Sequence, residues 1–132
     1  MLQATTISVS INRNWKDVYD AVWRPECFPK WASGLSQSGL VPDGEVWKAQ
    51  GPEGPITIRF TSHNEFGVMD HYVDLGNGVI VYMPMRVIPN GEGAEVLLTV
   101  FRQPGMTDEK FAADAKWVER DLRTLKSLAE KG

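Results

Sequence analysis

The chain predicts an α+β fold in which a meander of antiparallel strands backs one long C-terminal helix. Three observations lead there. Phe111, Ala115, Val118, Leu122, Leu125 and Ala129 recur at steps of four and three, which aligns them on one helical face. Ahead of that helix, Gly-, Pro- and Asn-rich turn signals cut residues 35–105 into short extended runs at roughly 8–12-residue spacing. A chain of 132 residues, 42% hydrophobic and 23% charged, has the size and composition of a single globular domain spanning 1–132.

Leu2 to Ile11 alternates Ile7, Val9 and Ile11 on one face and reads as a strand. Asn14 caps a short helix carrying Trp15, Val18, Tyr19, Val22 and Trp23 at helical spacing, which Pro25 interrupts. Glu26 to Trp31 forms a further turn or two, released at Gly34. Six extended runs follow: Leu35–Val41, Glu45–Gln50, Ile56–His63, Val68–Leu75, Val79–Ile88 and Ala94–Arg102. Thr107 is the expected N-cap of the last helix, with Asp108 and Glu109 in its positive first turn and Lys131 at its negative end.

Bulk properties exclude several classes. A formal net charge of −3 with no local basic cluster argues against nucleic acid as a partner. The lone Cys27 has no internal disulfide partner, the N-terminus lacks a basic and apolar leader, and no apolar run reaches membrane-span length, so a cytoplasmic protein without membrane insertion is expected. Two histidines and one cysteine show no metal-ligand spacing, and no Gly-rich loop opens a helix after a strand. No metal and no cofactor is expected.

The order strand, two short helices, six strands, long helix resembles the START/Bet v 1-like (polyketide cyclase/dehydrase-like) superfamily. Local patterns carry the likeness: Ile11 to Tyr19 leading into helix one, Pro25 to Trp31 after it, and Pro104 to Leu125 at the end. A Pro usual near Arg13 or Asn14 is missing here. The resemblance implies a helix-grip fold, with a curved antiparallel sheet of about seven strands wrapped around the C-terminal helix. It specifies fold rather than activity, because the superfamily hosts carriers, cyclases, dehydratases and receptors.

Loop length extends the alternation into a register. Closing Asn64–Gly67 sets Phe60 opposite His71, and a Gly76–Gly78 loop sets His71 opposite Met83 and Met69 opposite Met85. A four-residue loop Pro89–Glu92 then pairs Met83 with Leu98, Met85 with Val96, and Arg86 with Glu95 on the outer face. Ile80, Leu97 and Phe101 are left outside, a homodimer contact or the cover of helix one.

His71 is the only ionisable residue on the predicted inner rows, and methionines flank it. Its role is either a ligand anchor and acid/base, or a core histidine bonded to a tyrosine or backbone carbonyl. Asp70 is no partner for it, since neighbouring strand residues face opposite sides. His63 belongs to a solvated strand end, and Trp117 to the helix flank. Ala112, Ala113 and Ala115 give the long helix a thin wall near Phe111. A cavity between sheet and helix is therefore expected, walled by Phe60, Met69, His71, Met83, Met85, Phe111 and Ala115, with Trp31 at its mouth or plugging helix two onto the sheet. An apolar small molecule (lipid, aromatic or polyketide-like) is the expected ligand. The alternatives are a cyclase/dehydratase-type enzyme with His71 as acid/base, and a protein-interaction module using the outer apolar face.

Overall fold

A computed structural model describes residues 1–33 and 39–131. Its described elements run β1 (Ala4–Ile11), α1 (Trp15–Val22), a 3-10 turn (Pro25–Cys27), α2 (Phe28–Trp31), β2 (Val41–Asp43), β3 (Val46–Gly51), β4 (Gly54–Phe60), β5 (His71–Asp74), β6 (Ile80–Met83), β7 (Met85–Asn90), β8 (Gly93–Phe101) and α3 (Asp108–Lys131). This is the helix-grip arrangement: antiparallel strands, two short helices after β1, and a long C-terminal helix. Of the expected Leu35–Val41 strand, residues 35–38 lie outside the described residues. Val41 and Pro42 instead begin β2, which closes on β3 through Gly44 and Glu45.

Strand order is β2-β3-β4-β5-β6 in one sheet and β1-β8-β7 in the other. The expected strand Val79–Ile88 is divided at Pro84, which has no N–H to give to a ladder. The two sheets remain joined across that break. Met69 N–H donates to Met85 O (2.9 Å), Val87 N–H to Gly67 O (2.9 Å), and Thr99 N–H to Pro84 O (3.0 Å).

Phe60 faces His71, His71 faces Met83, and Arg59 faces Tyr72. The β7–β8 register differs by two residues from the expected one. Its loop is the two-residue Gly91–Glu92, so Asn90 pairs with Gly93, Met85 with Leu98, and Arg86 with Leu97. Met83–Leu98, Met85–Val96 and Arg86–Glu95 are therefore not pairs. Glu95 accepts from Ser10 Oγ (2.7 Å) and Asn90 Nδ2 (3.0 Å), while Arg86 reaches Asp70 (2.6 Å). Asp70 also accepts from Met85 N–H (2.8 Å) and the Tyr82 hydroxyl (3.1 Å), clamping the Pro84 break from outside.

Helix α3 lies over β1 and β8, with α1 and α2 against it. At about 1.5 Å per residue it is roughly 36 Å long. Thr107 Oγ1 accepts from Lys110 N–H (3.1 Å), as an N-cap should. Phe111, Leu122, Leu125 and Ala129 are buried, while Val118 and Ala115 are half-buried. Ala112 and Ala113 are exposed, so of the thin alanine wall expected near Phe111 only Ala115 is partly covered. At the far end Arg13 donates to Ala129 O (2.8 Å) and Lys126 to Ser10 O (2.6 Å), fastening the helix terminus to the β1–α1 corner.

Candidate functional site

Helix α1 begins where Asn14 Oδ1 accepts from Lys16 N–H (3.0 Å), and it buries Val18, Tyr19 and Val22. Pro25 ends that run and starts the 3-10 turn, which passes directly into the four-residue α2. A helix this short presents one side only. Phe28 and Trp31, three apart, occupy it, and both are buried.

These two rings meet the inner face of β4 and β5. Phe28 packs edge-on against Trp31 (5.2 Å between ring centroids), Phe60 (5.2 Å) and His71 (5.3 Å). Phe60 and His71, cross-strand partners, are 5.9 Å apart. Between them is a cavity of about 10 Å3, room for one water molecule. Its inner wall is Val22, Phe28, Trp31, Phe60, Met69 and His71, and Trp23, Arg24, Thr61 and Val68 complete the lining toward the surface.

Half of the expected site residues come together here: Trp31, Phe60, Met69 and His71. The other four do not line this cavity. Met83 is opposite His71 on β6 and is packed into the core, as is Met85. Phe111 and Ala115 belong to α3, and the cavity lies under α1 and α2 instead. Trp31 is 4% exposed, a wall rather than a mouth. Phe28, the central ring, was not anticipated. Its signal was the three-residue spacing from Trp31 across Pro29.

His71 is 1% exposed. Burial pushes its pKa below the ordinary value; the Met69 carbonyl and the Asp70 charge pull the other way without reversing it. The ring is therefore neutral near pH 7. Nδ1 is 3.1 Å from Met69 O, and a carbonyl oxygen only accepts, so Nδ1 carries the proton. Nε2 is then the acceptor nitrogen. One buried side-chain polar atom stands unmatched among the described residues, the Trp31 indole N–H. Buried polar groups are nearly always satisfied, so an unmatched donor on a side chain that lines the cavity calls for a partner.

The neutral state has a consequence for stability. As pH falls below about 6.5, the unfolded chain takes up a proton at His71 before the native chain does, so stability falls. The loss is at most about 1.4 kcal/mol per pH unit, and it levels off below the depressed native pKa. Above pH 6.5 both states are neutral and the contribution vanishes. Urea unfolding from pH 8 to 4.5 should therefore show an acid-side decline that is shallower in His71→Phe; equal declines would contradict a buried neutral ring.

Other sequence candidates are elsewhere. His63 is exposed and tilted against Trp23 (4.7 Å) and Tyr19 (5.5 Å), with Asp20 3.7 Å from its Nε2. Trp117 is exposed beneath the Arg120 guanidinium (4.8 Å). Asp121 points inward from α3 and accepts from Ser33 Oγ (3.0 Å), a buried polar contact that the apolar stripe did not reveal. Among the described residues no group of three His, Cys, Asp or Glu is placed to hold a metal, and no helix is long and apolar enough to cross a membrane.

Neither a protein-family model nor a curated protein matches the sequence. Solved structures do match in fold. Ara h 8.0201 superposes with a TM-score of 0.70 at 10% identity, covering 100% of both chains. XoxI from Bacillus cereus gives 0.73 at 17%, covering 94% of this chain and 93% of its own. DynU16, a protein of the dynemicin biosynthetic locus, gives 0.67 at 17%; the match covers 96% of this chain and 47% of DynU16.

Proposed function

We propose that this chain, which has the helix-grip fold of the START/Bet v 1-like superfamily, binds an apolar small molecule of lipid, aromatic or polyketide-like character. The ligand enters between the α1–α2 segment and strands β4 and β5, beside His71. One observation carries the reading: the buried His71 ring and Trp31, whose indole N–H has no partner among the described residues, line the same void, and most of the remaining wall is aromatic or aliphatic. Binding sites for apolar molecules have that composition, a few polar atoms among many apolar ones.

At rest the void takes one water, so uptake requires the wall to give way. Helix α2 is the element to move. It is a single turn with no side-chain cap hydrogen bond, and its Phe28 and Trp31 rings are what close the cavity. Short elements held mainly by their side chains open at lower cost than the surrounding sheet.

Titration with the dye N-phenyl-1-naphthylamine tests this. The wild-type chain should enhance its fluorescence saturably at one dye per chain, and Val68→Phe, which adds a ring to the cavity wall, should prevent it. Absence of enhancement in the wild type, or equal enhancement in both, would contradict the proposal.

A further inference from the structure

Joined across Pro84, the two sheets leave free edges at β2 and at β1. A free edge offers unpaired N–H and C=O groups to any other strand, and proteins usually blunt it with proline, charge, a bulge or shortness. The β2 edge is blunted in those ways: it has three residues, the middle one is Pro42, and Asp43 pairs with Lys48 of β3 (3.1 Å). The β1 edge is not. It is eight residues long, pairs with β8 from Ala4 to Ile11 without a bulge, and contains neither proline nor a charged residue.

The ladder fixes which backbone groups point outward. Arg102 N–H donates to Gln3 O (2.8 Å), so Gln3, Thr5, Ile7, Val9 and Ile11 bond toward β8. The N–H and C=O groups of Ala4, Thr6, Ser8 and Ser10 point the other way. Ser10 O accepts from Lys126 Nζ (2.6 Å), whereas Ala4, Thr6 and Ser8 have no neighbouring strand on that side among the described residues. Their side chains are exposed. On the inner face Ile7 and Val9 are only half-buried, although Leu98 and Val96 opposite them on β8 are buried. The edge lacks a strand, and its apolar face lacks full cover.

We propose that β1 pairs antiparallel with β1 of a second copy, about a two-fold axis at Thr6. That register sets Thr6 opposite Thr6 and Ala4 opposite Ser8, each pair exchanging two N–H···O bonds. It also lays Ile7 of each copy beside Thr5 of the other. Centring on Ile7 instead would call on Ser10 O, which Lys126 already holds. A second copy suits this edge because an uncharged strand meets itself without opposing like charges.

Sedimentation velocity from about 10 μM to about 1 mM tests this, since a contact of one strand pair is small and its affinity modest. The weight-average mass of the wild type should rise from 14.8 kDa toward twice that value. Ser8→Pro deletes an outward N–H and spares the β8 ladder, and Thr6→Lys sets two cations opposite each other at the axis. Each should weaken association roughly tenfold or more. An equimolar mixture of Thr6→Lys and Thr6→Glu should restore it, because the two charges meet across the axis; misfolded chains would not recover on mixing. Val41→Lys, on the β2 edge, should change nothing. A wild type monomeric throughout overturns the proposal and leaves the edge to some other strand. A dimer that survives both variants overturns it too, and places the contact on another surface. A mixture no more associated than either variant alone overturns the Thr6 axis. Should Ser8→Pro not fold, the wild-type mass and the mixture decide.

Discussion

Replacing Phe28 with alanine should lower stability by about 3–5 kcal/mol, as removal of a buried phenylalanine does. Phe28 is 2% exposed and touches three rings at 5.2–5.3 Å, from Trp31 of its own helix to Phe60 and His71 of the sheet. No other described ring links the short helix to both strands. Its loss removes the edge-to-face contacts and leaves a hole that four-residue α2 is poorly anchored to fill. Trp117→Ala is the comparison. That ring is larger but 43% exposed, so its removal should stay within about 1 kcal/mol. A Phe28→Ala loss no greater than that of Trp117→Ala, measured by urea unfolding, would mean that α2 is not held as described.

Gly67→Ala should cost nearly as much, roughly 3–5 kcal/mol, for a backbone reason. Gly67 has a φ of 70°, which alanine adopts only under strain, and its carbonyl accepts from Val87 N–H. An added Cβ would also lie 2.1 Å from Val87 O, and no side-chain rotation relieves a clash with backbone. The strand pairing between residues 67–69 and β7 must yield. Gly78 isolates the two effects: its φ is 84°, but nothing lies within 4 Å of an added Cβ. Gly78→Ala should therefore show only the dihedral cost, about 1–2 kcal/mol. Equal losses at the two glycines would show that the close approach at Gly67 carries no energy.

Inside and outside were legible in the sequence; exact pairing was not always. Phe60, His71 and Met83 form the row that alternation predicts, because burial of one sheet face leaves no choice of parity. At β7–β8 a two-residue and a four-residue loop both keep Met85, Val87, Val96 and Leu98 inside. Hydrophobic pattern cannot separate them. The two-residue turn Gly91–Glu92 forms, and every partner moves by two.

The cavity was harder to read than the fold. His71, Phe60, Met69 and Trp31 were identifiable as inward-facing or helix-edge residues, but their common neighbour is a single helical turn. Where such a turn docks depends on contacts between residues 28–31 and 60–71, far apart in the chain, and not on local periodicity. The long helix drew attention because its stripe is so clear. A well-formed stripe is what a filled interface needs, and Leu122 and Leu125 fill theirs, being 1% and 0% exposed. The one unmatched buried polar atom among the described residues, the Trp31 indole N–H, belongs to α2 instead.

Location of the bound ligand is the central claim, and intermolecular NOEs from toluene to the methyl-labelled protein test it most directly. Contacts from toluene to the Met69 methyl, the Val22 and Val68 methyls and the His71 ring are the predicted result. Contacts to Ala115 and Phe111, with the α2 side silent, would put the ligand beneath the C-terminal helix and contradict the account.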